Sequence, residues 1–260
     1  MFDLVQLSTY AIKKASDVIL KYYDSSYNIK MKGKGNPVTE ADIEADDILK
    51  DILMGETPDF GWLSEETRDS KSRLDKTRVW VVDPLDGTKE FVEGVPNFVI
   101  SIGLVENGKP ILGTIYNPIT KELFSAYKNN GTSLNGKKYT ISKKDEFDIM
   151  SMLNSRSETK AKLWEPYKNY FKEIIPIGSI AYKLALVAAG KSDMVASLKP
   201  KNEWDICAGH CLINESGGKL ITSLGEEITY NNQNTLITPG LSAGNNNAVN
   251  NMMELIENVK

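Results

Sequence analysis

Residues 80–91, Trp-Val-Val-Asp-Pro-Leu-Asp-Gly-Thr-Lys-Glu-Phe, constrain the fold more than any other stretch of the chain. The apolar run Val79 to Val82 predicts a buried strand that delivers Asp83 to its carboxyl end, with Pro84 ending the strand there. Asp83 and Asp86, three positions apart, then point into one pocket. Two carboxylates about 4 Å apart repel by roughly 4 kcal/mol at an effective dielectric near 20, so the pair favours a bound cation. Gly87 lets the backbone approach a ligand, and the N–H groups of a turn entering a helix attract phosphate. Acids for a hard metal beside donors for an oxyanion suit phosphoryl transfer. A plain tight turn also uses Asp, Pro and Gly, so the bare D-P-x-D-G pattern leaves both readings open.

Composition removes several alternatives. The 260 residues, 41% apolar, are enough for one large domain or two packed subdomains. A net charge of −4 disfavours a general nucleic-acid or anionic-membrane binder. The single histidine, His210, rules out a multi-histidine zinc site and reads as a packed or surface residue of a helix. Cys207 and Cys211, four apart, read as core thiols of a reducing compartment. Asp3, Lys13 and Lys14 interrupt the apolar N-terminus, which predicts neither a signal peptide nor a membrane span and implies a cytoplasmic protein.

Leu4, Leu7, Ala11, Ala15, Val18 and Tyr22 predict an amphipathic first helix, and Ala41 to Leu53 a second, capped by Thr39 with Asp42 three residues on. Residues 31–37, rich in Gly and Lys, read as a mobile loop. Strands at 98–105, 111–116 and 122–127, divided by Asn-Gly and Asn-Pro turns, predict an antiparallel meander. Beyond 148, strands (149–153, 174–177, 193–196, 220–222, 235–237) alternate with helices (158–171, 179–189, 204–215 and one carrying Val249 to Ile256). The division is an α+β part over 1–140 and an α/β part over 141–260. The 245–251 asparagine stretch reads as a loop and helix cap.

The twelve-residue run resembles the first signature of the inositol monophosphatase superfamily of magnesium-dependent, lithium-sensitive phosphatases, and its Gly-Thr-Lys-Glu-Phe ending is most similar to the CysQ-type 3'(2'),5'-bisphosphate nucleotidases. Three further segments in the family's order carry the likeness. Leu63-Ser64-Glu65-Glu66 resembles the Glu-Glu element, and Asn36-Pro37-Val38-Thr39-Glu40-Ala41-Asp42 the Pro-Val-Thr element. Glu203-Trp204-Asp205 with Glu215-Ser216-Gly217-Gly218 resembles the second signature, Cys207 standing where alanine is frequent. Taken singly, these are also a solvated loop, a capping box, and a first-turn acid with a helix C-cap.

The resemblance implies a layered αβαβα sandwich and two, or three, Mg²⁺ ions. One is held by Glu65, Asp83 and the Leu85 carbonyl; a second is bridged by Asp83 and completed by Asp86 and Asp205. Glu65 and a Thr88–Asp42 pair position the attacking water. Gly87, Thr88, Lys89 and Asp205 contact the substrate phosphate. Gly178, Ser179 and Lys183 line the substrate pocket, although Ser179 also fits a routine N-cap and Lys183 a surface lysine.

The implied substrate is a small phosphate ester, foremost adenosine 3',5'-bisphosphate, with inositol or another sugar phosphate as the competing reading. A homodimer and a non-catalytic nucleotide sensor stay open. Leu198 stands where inositol phosphatases carry an acid, followed by Lys199 and Lys201, which favours a more anionic substrate. Lys34, where many nucleotidases carry Asp, points the other way. No G-x-x-x-x-G-K-[ST] is present, which disfavours a P-loop kinase.

Overall fold

The computed structural model describes residues 3–23, 29–33 and 36–259. Helix α1 (Leu4–Tyr23) leads into strands β1 (Ile29–Gly33) and β2 (Asn36–Thr39), then α2 (Glu40–Glu56) and β3 (Gly61–Ser64). Strand β4 (Arg78–Asp86) and the short helix α3 (Thr88–Val92) precede the meander β5 (Val99–Glu106), β6 (Lys109–Asn117), β7 (Glu122–Tyr127), β8 (Thr132–Leu134) and β9 (Lys137–Tyr139). The second half runs β10 (Ser151–Ser155), α4 (Arg156–Lys160), β11 (Glu173–Ile177), α5 (Ile180–Ala188), β12 (Met194–Ser197), β13 (Lys201–Asn202) and α6 (Glu203–Glu215). It ends with β14 (Lys219–Thr222), β15 (Leu236–Ile237), β16 (Leu241–Gly244) and α7 (Asn246–Asn258).

Two sheets carry the architecture. One is ordered β3-β4-β5-β6-β7-β8-β9, antiparallel except for the β3/β4 pair; the other is β11-β10-β12-β16-β14. Alternation along the strands sorts side chains into layers. On β4, Trp80 and Val82 face α1 and α2, whereas Val79 and Val81 join the core around α5 and α6. On β12, Val195 faces that same central core, while Met194 and Ala196 pack with Trp164, Phe171 and Met252 of α7. The order is helix, sheet, helix, sheet, helix, the αβαβα sandwich expected from the sequence. Gly103 of β5 and Gly113 of β6 are register partners, and α6 lies directly on them. A Cβ at Gly103 would sit 2.5 Å from Cys207 Sγ, and one at Gly113 2.2 Å from the Ala208 carbonyl oxygen.

Several expectations change. Pro84 does not end its strand: β4 continues to Asp86 through a register shift between Asp83 and Asp86, and a bulge is where a residue without N–H is tolerated. Residues 31–37 are not a plain loop, since 29–33 and 36–39 form an antiparallel ribbon; Lys34 lies outside the described residues. The helix expected over 158–171 stops at Lys160. Lys162 takes a left-handed φ of 58°, and Pro166 sits in a separate 3-10 turn, Glu165–Tyr167. Strands β3, β8, β9, β13 and β16 escaped the periodicity reading. No helix of the described residues is long and apolar enough to cross a membrane.

Candidate active site

The parallel pair β3/β4 ends with Ser64 opposite Val82, so Glu65 and Asp83 leave neighbouring strands side by side. The Glu65 N–H donates to the Val82 carbonyl at 3.3 Å. Asp205 arrives from another layer as the third residue of α6, where its Oδ2 accepts the Asn202 N–H at 2.7 Å. A carboxylate is favoured at that helix end. One carboxylate oxygen from each of Glu65, Asp83 and Asp205 lies within 4.8 Å of the others. These three acids stand at the wall of a cavity of about 930 Å³, which Leu85, Asp86, Gly87, Thr88, Lys89, Gly178, Ser179 and Lys183 also line.

Burial pushes the Asp83 carboxyl well above the usual range, and the charges of Glu65, Asp86 and Asp205 push it further. Asp205 is raised in the same way, by burial first and then by Asp86 and Glu65. Against this, Asp83 Oδ1 accepts the Leu85 N–H at 3.0 Å, and Asp205 has the Asn202 N–H and the field of Lys201. An all-oxygen cluster of converging acids that destabilise one another's charge fits a hard divalent cation such as Mg²⁺.

Asp86 is held differently. Its Oδ2 accepts from Ser179 Oγ and from the Ala181 N–H, both at 2.7 Å, so it ties down the first turn of α5. It lines the cavity and repels Asp83 and Asp205, but it stands outside the three-oxygen cluster. Thr88 Oγ1 donates to Asp42 Oδ1 at 2.9 Å and approaches the Leu85 carbonyl at 3.2 Å. Asp42 Oδ2 accepts the Thr39 N–H at 2.7 Å, so the helix-cap role and the contact to Thr88 coexist on one carboxylate. Burial raises the Asp42 pKa. Gly87 has φ +105°, and a Cβ there would come 3.0 Å from the Asn97 carbonyl oxygen, which only glycine avoids.

Gly178, Ser179 and Lys183 all line the cavity, and the correction concerns the ammonium of Lys183. Lys183 is neither a surface lysine nor a free phosphate hand. It is buried, and its Nζ donates to the carbonyls of Ile177, Gly178 and Ser179 at 2.9, 3.3 and 2.8 Å, the full complement of an ammonium. Burial lowers its pKa to about 8. Gly178 lines the cavity, but Glu90 fills the space a side chain would need: a Cβ there would lie 2.2 Å from the Glu90 carboxyl carbon. Ser179 keeps the N-cap role, accepting the Tyr182 N–H at 3.0 Å, at a φ of 55°.

Among the cations of the remaining wall, sequence reading singled out Lys201 and missed Arg156 and Lys160. Arg156 bridges Glu90 and Glu93 at 2.8 and 2.7 Å, and Lys201 Nζ donates to Ser197 Oγ at 2.9 Å; both line the cavity with Lys160. Arg156 stands just past the carboxyl end of β10, where ligands of open α/β sheets gather, and that position was the available signal. His210 is buried, Nδ1 2.9 Å from Tyr230 Oη, with its pKa lowered by burial to about 4, and it does not line the cavity. Cys207 and Cys211 are buried free thiols.

With this geometry in place, the comparisons with known proteins are specific. The pattern of the inositol monophosphatase family matches residues 3–258. The chain is 33% identical over 237 residues to the 3'(2'),5'-bisphosphate nucleotidase CysQ of Escherichia coli, which covers 88% of this chain and 94% of the relative. It is 32% identical over 235 residues to an inositol monophosphatase of Mesembryanthemum crystallinum, covering 86% and 87%. The solved IMPase of Thermotoga maritima superposes with a TM-score of 0.87 at 27% identity, over 99% of this chain and 98% of that one. Sandwich and acid cluster together are those of a metal-dependent phosphatase. The chain belongs to the inositol monophosphatase family.

Proposed function

We propose that this protein is a Mg²⁺-dependent phosphomonoesterase that removes the 3'-phosphate of adenosine 3',5'-bisphosphate, giving AMP and phosphate. The observation that carries the reading is the convergence of Glu65, Asp83 and Asp205 on one point of the cavity, with the Thr88–Asp42 pair beside it. Glu65, Asp83 and the Leu85 carbonyl would hold one ion; Asp83, Asp86 and Asp205 a second. Asp86 would contribute through Oδ1, because Oδ2 is engaged by Ser179 and Ala181. Bound there, Mg²⁺ supplies positive charge to the phosphoryl group and to the attacking and leaving oxygens of an in-line displacement.

The chain's own residues orient and move the proton. Thr88 Oγ1 accepts a proton from the attacking water as it passes its own to Asp42 Oδ1, along the 2.9 Å bond already in place. Burial makes Asp42 a stronger base than an exposed aspartate. N–H groups of Gly87 and Thr88 would hold the phosphate, with Lys89 at the exposed edge of the cavity. Among the described residues, no hydrogen bond or ion pair engages the Lys89 or Lys160 ammonium, so both are available to a second phosphate. Lys201 in the wall favours a polyanionic substrate over inositol; Leu198 packs against the outer core instead of lining the cavity, so its position carries no such argument.

The near-equal identity to a plant inositol monophosphatase supports a second reading, the same chemistry on a sugar phosphate. A phosphate-release panel with and without Mg²⁺ separates them. Preference for adenosine 3',5'-bisphosphate over inositol 1-phosphate is expected; the reverse preference overturns the substrate, and no Mg²⁺-dependent release from any ester overturns the phosphatase reading.

A further inference from the structure

Asp46 is a buried carboxylate, 3% exposed, one turn beyond Asp42 on α2. It does not line the cavity. Its two oxygens are taken by two hydroxyls that flank the Glu65-Glu66 turn: Ser64 Oγ donates to Oδ1 and Thr67 Oγ1 to Oδ2. Ser64 Oγ also accepts the Glu66 N–H at 3.4 Å, while the Glu65 N–H is fixed to β4 at Val82. The turn that presents Glu65 is therefore pinned at both ends to one side chain of α2 and in its middle to the strand that carries Asp83. A carboxylate buried this deeply destabilises a fold unless its oxygens are bonded, and here each bond goes to this one turn.

We propose that Asp46 is a positioning residue that holds Glu65 in register with Asp83 and Asp205, so that the cation site is assembled before an ion arrives. Residues four apart share a helix face, and α2 uses that face twice: Asp42 acts through Thr88, Asp46 through Ser64 and Thr67. One rigid helix thus sets both the proton-accepting pair and the metal-facing glutamate. Outer partners of metal ligands commonly govern affinity in this way. The inference rests on the metal-site reading given above.

The test is Mn²⁺ binding to substrate-free protein, followed by electron paramagnetic resonance, for wild type, Asp46→Ala, Asp46→Asn and Thr67→Val. Asp46→Ala is expected to weaken Mn²⁺ binding by about 10–100-fold, and Thr67→Val by about 10-fold. Asp46→Asn, which keeps the shape and can still bond both hydroxyls, is expected to recover most of the loss. Substrate KM at saturating Mg²⁺ stays at the wild-type value in all three. If Asp46→Ala does not fold, Thr67→Val, which leaves Asp46 bonded to Ser64, decides by the same titration. Variants that lose thermal stability but bind Mn²⁺ as wild type does overturn the proposal. A wild type that binds Mn²⁺ but releases no phosphate sinks the phosphatase reading, and the titration still decides Asp46. A wild type that takes up no Mn²⁺ overturns both.

Discussion

The cavity has an acidic corner and a basic shoulder, and the protein treats their charges in opposite ways. In the corner, Asp83 and Asp205 each draw one backbone N–H from the chain while burial and mutual repulsion raise their pKa values. On the shoulder, three of the lining cations are already engaged. Lys183 is given to three carbonyls, Lys201 to Ser197, and Arg156 to Glu90 and Glu93. Negative charge is kept in reserve, while among the lining cations only the Lys89 and Lys160 ammonium groups have no partner among the described residues. In the proposed reading, a site built this way would recruit a cation first, and the cation would then recruit the anion.

Three substitutions break or sharpen that contrast, beginning with the largest. Asp83→Asn removes the acid on which Glu65, Asp86 and Asp205 all act; kcat/KM for phosphate release is expected to fall about 10³-fold, the scale of a lost transition-state charge contact, with the melting temperature unchanged or raised. A variant that keeps its activity would show that the corner is not where chemistry occurs. Lys183→Met leaves three carbonyls without their donor, and chemical denaturation is expected to show a loss of about 2 kcal/mol. Were Lys183 a phosphate hand instead, KM would rise at unchanged stability.

Lys201→Met is the mildest. Its Nζ donates to Ser197 Oγ and to the Lys199 and Pro200 carbonyls, so it acts on an anion in the cavity through its field, and its removal is expected to increase substrate KM about 3-fold; the same field opposes the raised pKa values of Asp86 and Asp205. The same change is expected to lower, not raise, the Mg²⁺ concentration needed for half-maximal rate. A parallel rise in both would mean that Lys201 supports the corner structurally.

Sequence resolved the corner better than the shoulder, for physical reasons. Asp83 follows an apolar run whose burial is legible, and the caps that place Asp42 and Asp205 are local three-residue patterns that side chains on a helix must obey. Lys183 shows the opposite case: Gly-Ser-x-x-x-Lys specifies that a lysine lies one turn into a helix, not whether its ammonium turns outward or back onto the preceding carbonyls. Arg156 offered only its place after a strand as a signal, because its partners, Glu90 and Glu93, are more than sixty residues away.

The same limit explains the missed strands. Leu241-Ser242-Ala243-Gly244 has little intrinsic strand preference and is extended because β12 and β14 flank it on both sides. The apolar spacing of Trp164, Tyr167 and Phe171 resembles a helix, yet those rings reach the outer core from a broken segment. Asp46 escaped because it sits on the buried face of α2 among alanines and leucines, where an apolar stripe is sought and an acid is overlooked.

The paired glycines at 103 and 113 carry a last consequence. They let the helix bearing Asp205 settle against the sheet bearing Asp83 with no side chain from the sheet at these two points, so two missing methyl groups help to set the gap across the acid cluster. In the proposed reading, a preference for a small ion such as Mg²⁺, with oxygens at about 2.0–2.1 Å, over Ca²⁺ at about 2.3–2.6 Å would be metered from beneath the helix rather than by the carboxylates. Retuning such an enzyme to a larger ion would begin at these shims, leaving every ligand in place.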